Sequence, residues 1–458
     1  MKLCLQKLGL KVNGEEQAVP TLSRLHLSAH QAADVSNLVA SWTEIITLVD
    51  GVEYVKGEND TFCLEAGGRW GFGELENALR DTAEEGSTAS ESKGDDNKTR
   101  EIRELIEYTS ASASMDGILD YDKVIKNMIL HNNALPSPQD TPFFQHNAYY
   151  ANLTHYHNKC ENEDRVFGKF LMYGEVVTST NTLLENYFNL PTLSLSDIQE
   201  SNISNRNPSL LRNLPQGFTL TATTQIAGRG RGSNVWVAPP GGLMFSFTLT
   251  HPLSLTSAPI IFIQYLAALA IIRGIDSYGP GYDSLPVRLK WPNDIYASSP
   301  VSQSPSDFVK IGGILVNSSF SGTSYSVVTG IGLNLDNALP TCSLNQLAAK
   351  QNLKPLTAER LLASILANFE AVYREFCKYG FSRDLEAEYY EAWLHTEQIV
   401  TLETHEGLRA KIKGITRDWG LLLAEELGWG DRGTGRVIAL QSDSNSFDFF
   451  KGLVKRKV

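Results

Sequence analysis

Two runs alternate in the manner of β-strands, Phe218 to Gln225 and Leu243 to Thr250, and between them lies Gly228-Arg229-Gly230-Arg231-Gly232-Ser233-Asn234-Val235-Trp236. Period-two alternation on both sides fixes this segment as a loop joining two strands. Glycine lets such a loop close over a ligand, and arginine supplies a fork of donors suited to carboxylate or phosphate. A lone Arg-Gly element that touches RNA is the competing reading, but that type occurs in disordered repeats, and this one occurs once, between strands. Two further motifs follow in order. Lys290-Trp291-Pro292-Asn293-Asp294 closes a strand, and Lys310-Ile311-Gly312-Gly313-Ile314-Leu315 opens one.

Taken singly, each of these has a plain explanation. Pro292 ends strand pairing and Asn293-Asp294 turn the chain, which an ordinary surface turn beside a packed Trp291 also does. Lys310 sits at the mouth of an apolar run, where a lysine pins a carboxylate or simply stays solvated. Gly330-Ile331-Gly332-Leu333-Asn334 brings backbone close to a ligand or to a helix, and does not match the dinucleotide-binding glycine pattern. Ser179-Thr180-Asn181 caps a helix, and the same hydroxyls and amide can bind a polar ligand group. His155, His157 and Cys160 have loosely metal-like spacing, but no second ligand pair accompanies them. Taken together, the cations and the asparagine and aspartate near strand ends suit the activation of a small carboxylic acid by ATP. That reaction brings an anionic oxygen onto an anionic phosphorus and needs fixed positive charge and nearby backbone amides.

Composition excludes several alternatives. The net charge of −12 disfavours a protein held on nucleic acid by phosphate contacts, and gives no affinity for anionic membranes. Five scattered cysteines suggest free thiols in a reducing compartment, so a cytoplasmic location is expected. The apolar run from Ile260 to Ile272 is short and contains Gln264, which reads as a buried helix rather than a membrane span.

The 458 residues suffice for roughly three domains. Residues 1–80 read as an ordered region with a hairpin at Asp50-Gly51, residues 81–99 as a disordered linker, and residues 100–165 as a connecting region. From 166 to 395, strands and helices mix, with the Ser179-Thr180-Asn181 helix carrying Leu183, Leu184, Tyr187 and Phe188, and helices expected on one side of the sheet. From 396 to 458, short strands separated by turns give a small β-barrel pattern. The fold class is α+β, with a mixed-sheet central domain, a C-terminal barrel and an N-terminal mixed α/β region.

These motifs, in this order from about Phe167 to Val458, resemble the biotin protein ligases, or holocarboxylase synthetases, in their eukaryotic, fungal form. Lys413-Gly414-Ile415-Thr416-Arg417-Asp418 and Asp443-Ser444-Asn445-Ser446-Phe447 fit the same pattern. The resemblance implies a catalytic domain related to class II synthetases, an SH3-like C-terminal domain, and a ligase acting in two steps. Biotin and ATP with Mg2+ give biotinyl-5'-AMP, which then acylates a lysine in the biotin-acceptor domain of carboxylases such as acetyl-CoA carboxylase and pyruvate carboxylase. By the same resemblance Ser179, Thr180, Asn181, Gln225, Gly228 and Gly313 join Arg229, Arg231 and Lys310 around biotin. Trp236, Asn293 and Asn334 join Arg229, Arg231 and Lys310 around ATP. Lys310, Arg229, Lys290 and Asp294 act in catalysis, Asp294 by helping to take a proton from the acceptor lysine. Magnesium is expected to arrive with ATP rather than on protein ligands, and the chain is expected to be a monomer.

The chain departs from that family in three places. Ser233 stands where glycine is frequent, and Ala238 where a serine is common. Fungal members also carry a long N-terminal region resembling glutamine amidotransferases, and Met1 begins after where that region would end, so activity is expected without it. A lipoate ligase is the nearest rival. The Arg-Gly loop and the terminal barrel favour biotin, and residues 1–80 show no basic recognition helix that a repressor would need.

Overall fold

The computed structural model of the chain describes residues 21–57, 60–67, 96–112, 120–185, 214–238, 240–299, 307–337, 342–442, 445–448 and 452–456. The first strands are β1 (Leu25–Ala29), β2 (Ile46–Val49), β3 (Val52–Lys56), β4 (Thr61–Ala66) and β5 (Lys126–Leu130). They continue into β6 (Phe170–Val177), β7 (Thr219–Gln225), β8 (Gly242–Pro252), β9 (Val287–Lys290), β10 (Asp294–Ser298), β11 (Phe308–Ser321) and β12 (Ser324–Asn334). All twelve share one mixed sheet in the order β2-β3-β4-β5-β1-β6-β7-β8-β12-β11-β10-β9. The expected divisions at 80 and 165 therefore fall within a continuous hydrogen-bonded sheet. Its seam is the antiparallel pairing of β1 with β6, from Leu25 opposite Gly174 to Ala29 opposite Phe170. Asp50 and Gly51 both take positive φ, at 51° and 80°, the backbone that a two-residue hairpin between β2 and β3 requires.

The helices are α1 (Ala33–Ala40), α2 (Asp96–Ser112), α3 (His146–Lys159), α4 (Thr180–Leu184), α5 (Ile263–Asp276), α6 (Leu344–Lys350), α7 (Ala358–Tyr379) and α8 (Arg383–Ala392). Side chains alternate across a strand, and adjacent residues here go to different cores. Leu171 and Val327 join a core with α3, α5 and α7, whereas Met172 and Val328 join one with α1 and α4. Helices thus cover both faces of the sheet, where the sequence suggested one, because β6 and β12 are apolar at consecutive positions rather than at every second one. Gly274 permits close packing of α5 on α7, since a Cβ there would lie 2.8 Å from Ile365 Cγ1.

Of the expected linker, residues 81–95 lie outside the described residues, and 96–99 open α2. That polar stretch is the first turn of a helix whose Ile102 and Ile106 pack against Val49 and Tyr54. Tyr187 and Phe188, expected to extend α4, lie outside the described residues.

A second sheet holds β13 (Ile399–Leu402), β14 (Leu408–Ile415), β15 (Leu422–Leu427), β16 (Gly433–Leu440), β17 (Asn445–Asp448) and β18 (Leu453–Arg456), in the order β16-β15-β14-β13-β18-β17. The Gly420 carbonyl fastens it to the main body, accepting from Tyr265 Oη (2.7 Å) and from the Trp291 indole (3.1 Å). Among the described residues no helix is long and apolar enough to cross a membrane.

Candidate active site

A cavity of about 440 Å³ opens on the sheet face against which α4 packs. Its floor is glycine. Gly330 and Gly332 on β12 lie opposite Leu315 and Gly313 on β11, and their missing side chains make the space.

One end is polar without charge. Ser179 caps α4, accepting the Thr182 N–H, and is buried. The Thr180 N–H and hydroxyl both donate to Gln225 Oε1, at 2.7 and 3.2 Å, and the Thr180 hydroxyl lies 2.9 Å from that of Ser246. Asn181 Oδ1 accepts from Asn317 Nδ2 at 2.9 Å. The strand ends that carry these groups are pinned to each other, because Ile226 and Ala227 donate to the Val177 and Thr178 carbonyls.

The other end is charged. The Arg-Gly segment folds back on itself, with Trp236 N donating to Gly228 O and Gly230 N to Asn234 O. This lays the Trp236 indole on the floor, where a Cβ at Gly332 would come within 2.8 Å of it. Lys310 lies over the same ring, 5.5 Å from its centroid, and 2.7 Å from Asp294 Oδ1. Lys290 approaches the other Asp294 oxygen at 3.7 Å. A β-bulge aims Lys310 here. Gly312 pairs with Ile295 and Lys310 with Tyr296, so Ile311 is the extra residue and Lys310 turns to the face of Gly313. Arg229 pairs with Glu185, whose carboxyl is raised by burial, an effect the arginine partly offsets. Arg231 donates to Asn293 Oδ1 and to Ser442 Oγ, both at 3.1 Å. Among the described residues, Arg229, Arg231, Lys290 and Lys310 gather here with the carboxylates of Glu185 and Asp294, a set of cations suited to an anionic ligand.

Behind this end, His395 Nε2 accepts the Trp291 N–H at 3.0 Å, and Nδ1 pairs with Gln398 Oε1. Burial pushes this imidazole down to about 4, so it stays neutral and able to accept. The Lys290–Asp294 turn therefore hangs between a buried histidine and the second sheet.

Ser179, Thr180, Asn181, Gln225, Arg229, Arg231, Trp236, Asn293, Asp294, Lys310 and Gly313 all line the cavity. Three expected residues stand outside its lining. Gly228 supports the loop through its carbonyl, Lys290 braces Asp294 from behind, and Asn334, at the end of β12, donates to the Cys342 carbonyl at 3.1 Å. Asn293 does more structural work than expected, since its Nδ2 donates to Ile314 O at 2.6 Å while its oxygen holds Arg231. His157, noted for its spacing, is tied to the Phe167 carbonyl and Asn162. Sequence reading missed Ser246, Asn317, Glu185, Ser442 and His395. Only Ser246 carried a signal, as the lone polar residue in Met244-Phe245-Ser246-Phe247.

Residues 195–334 match the biotin/lipoate A/B protein ligase family. The biotin–protein ligase of Schizosaccharomyces pombe is 38% identical over 302 residues, covering 64% of this chain and 44% of that protein. The chloroplastic biotin–protein ligase 1 of Arabidopsis thaliana is 34% identical over 305 residues, 64% of this chain and 70% of its own. The Homo sapiens biotin–protein ligase is 32% identical over 304 residues, 64% of this chain and 36% of its own. Among solved structures, the Aquifex aeolicus biotin protein ligase in complex with biotin and ATP aligns with a TM-score of 0.42 at 20% identity, over 63% of this chain and 99% of that one. The chain belongs to the biotin–protein ligase family. It spans less than half the length of the fission yeast and human relatives.

Proposed function

We propose that this chain joins biotin to ATP as biotinyl-5'-AMP and then transfers the biotinyl group to a lysine of a biotin-acceptor domain in a carboxylase. The observation that carries the reading is the split polarity of one cavity, uncharged donors and acceptors at one end and cations beside an indole at the other. Biotin has that same division, a neutral ring system and a carboxylate tail.

In the first step a carboxylate oxygen of biotin attacks the α-phosphorus of ATP and pyrophosphate leaves. Lys310 stabilises the charge that gathers between carboxylate and phosphate, and Arg229 and Arg231 neutralise the phosphates and keep water from the mixed anhydride. Ser179, Thr180, Asn181 and Gln225 hold the ring end, while Trp236 packs on the adenine. In the second step the acceptor amine attacks the acyl carbon and AMP leaves, with Asp294 receiving the amine's proton once substrate has drawn Lys310 away. Both Asp294 oxygens face lysines and the Asn293 oxygen faces Arg231, so these groups do not form a cage for a cation. Magnesium enters the proposal only as the counter-ion that ATP brings. Acetyl-CoA carboxylase and pyruvate carboxylase are the proposed acceptors, and a cytoplasmic monomer is the proposed working form.

ATP–pyrophosphate exchange on the purified chain, run with biotin, with lipoate and with neither acid, tests the first step. Exchange with biotin alone is the expected result. Exchange with lipoate alone moves the chain to the lipoate branch, and none with either acid from folded protein overturns the reading.

A further inference from the structure

Asn181 is 4% exposed and lies against the glycine floor, its Nδ2 3.1 Å from where a Gly330 Cβ would stand. Among the described residues this buried Nδ2 has no hydrogen-bond partner, although Oδ1 has one in Asn317. A buried donor without an acceptor keeps its full desolvation penalty, so a site that holds one inside a cavity is complete only with an acceptor on its ligand. Asn317 lies opposite Val328 on the paired strands β11 and β12, one pair beyond Leu315 and Gly330 on the same face. From there its amide reaches the Asn181 oxygen, and that hydrogen bond turns the Asn181 NH2 toward the floor.

We infer that Asn317 is a positioning residue which sets the polarity of the uncharged end, so that Asn181 presents a donor and the enclosed part of the ligand must present an acceptor. The inference rests on the reading of the ligand as biotin, whose ring system offers two acceptors, the ureido oxygen and the thioether sulfur. Asn317 itself touches no ligand and acts through Asn181.

The test is Asn317→Asp, measured by pyrophosphate exchange with biotin, with 2-iminobiotin, in which an N–H group replaces the ureido oxygen, and with desthiobiotin, which lacks the sulfur. A carboxylate at 317 only accepts, so it draws the Asn181 NH2 to itself and leaves Oδ1 facing the cavity. The expected result is a KM for biotin raised about tenfold, with kcat and the KM for ATP changed less than about twofold. If the ureido oxygen is the acceptor, the variant improves 2-iminobiotin relative to biotin by about tenfold, and desthiobiotin loses as much as biotin does. If the sulfur is the acceptor, desthiobiotin is insensitive to the substitution and 2-iminobiotin falls with biotin. Asn317→Ala, which only frees the Asn181 amide to rotate, should raise the KM for biotin by a smaller factor and narrow its selectivity over the analogue concerned. An unchanged KM for biotin in both variants overturns the inference, as does an equal loss for all three acids together with a fall in kcat. Wild-type protein that exchanges with no biotin analogue would instead sink the functional reading, so the two failures are distinct.

Discussion

At the uncharged end of the cavity, Thr180, Gln225 and Ser246 belong to a helix start and two sheet strands, and they bond to one another within hydrogen-bonding distance. At the charged end, Arg229 and Arg231 hang from a loop, and each is held by a group outside it, Glu185 for one, Asn293 and Ser442 for the other. The first arrangement is formed before any ligand arrives, since regular elements hold side chains more precisely than loops do. The second keeps its cations on protein partners that an anionic ligand must displace. On the proposed function, recognition of the neutral ring end is thus largely preorganised, whereas binding of ATP and the carboxylate tail involves rearrangement.

The sharpest way to break this contrast is to remove Lys310, a cavity-lining cation that strand β11 rather than the loop delivers to the charged end. Lys310→Ala should lower biotin-dependent pyrophosphate exchange by roughly 10²–10³-fold, the cost of losing one preorganised group at developing charge. Direct biotin binding, measured by calorimetry without ATP, should change far less. Equal losses in both measurements would mean the two ends are not separable.

Acid should also act unequally on the two ends, because His395 supports only the charged one. Its folded-state value of about 4 lies below the ordinary 6.5, so the unfolded chain takes up a proton that the folded chain refuses. The stability that this refusal protects is present above about pH 6.5 and is lost as pH falls toward 4. Between pH 7 and 5 the imidazole should account for about 2 kcal/mol of lost stability. His395→Gln, compared with the wild type by urea denaturation at both pH values, should reduce the pH-dependent loss by that amount. An identical slope would show that the other buried histidines, His26 and His157 among them, account for the acid response.

The same contrast explains what could be read from sequence. The charged end was legible because its residues come in short runs, Gly228 to Trp236, Lys290 to Asp294 and Lys310 to Leu315, whose charge and glycine content mark them out. The uncharged end was legible only at Ser179-Thr180-Asn181 and Gln225. Its other members, Ser246 and Asn317, are single polar residues in strands, brought together by pairing between β8, β12 and β11 that no local pattern encodes. The strands flanking the Arg-Gly loop were readable, whereas the seam of β1 on β6 was not, since register across some 150 residues depends on tertiary packing. Asn334, assigned to ATP by the resemblance alone, sits at the end of β12 and donates to the Cys342 carbonyl.

Two glycines on β12 allow the ends to be perturbed one at a time. A Cβ at Gly332 would sit 2.8 Å from the Trp236 indole, closer than real contacts allow, and Gly332→Ala should displace the ring and raise the KM for ATP about tenfold. A Cβ at Gly330 would meet Asn181 Nδ2 at 3.1 Å and Ser246 Oγ at 3.2 Å, and Gly330→Ala should raise the KM for biotin about threefold. Each variant should leave the other substrate's KM within about twofold, and a shared effect on both would merge the two ends into one site.

The smallest effect is expected where the second sheet reaches the loop. Among the described residues Arg231 donates to Asn293 and to Ser442 at equal distance, and Ser442→Ala removes only the second bond, so Asn293 continues to hold the guanidinium. The lost bond is partly exposed, and its net worth is about 0.5–1 kcal/mol. If the loop must leave these anchors to close on ATP, the variant should exchange pyrophosphate at least as fast as the wild type, while the bound adenylate escapes up to about threefold faster. Filter capture of radiolabelled adenylate over time separates the two rates. Slower exchange together with unchanged escape would mean that Arg231 works from where it already sits, and that the charged end is as preorganised as the uncharged one.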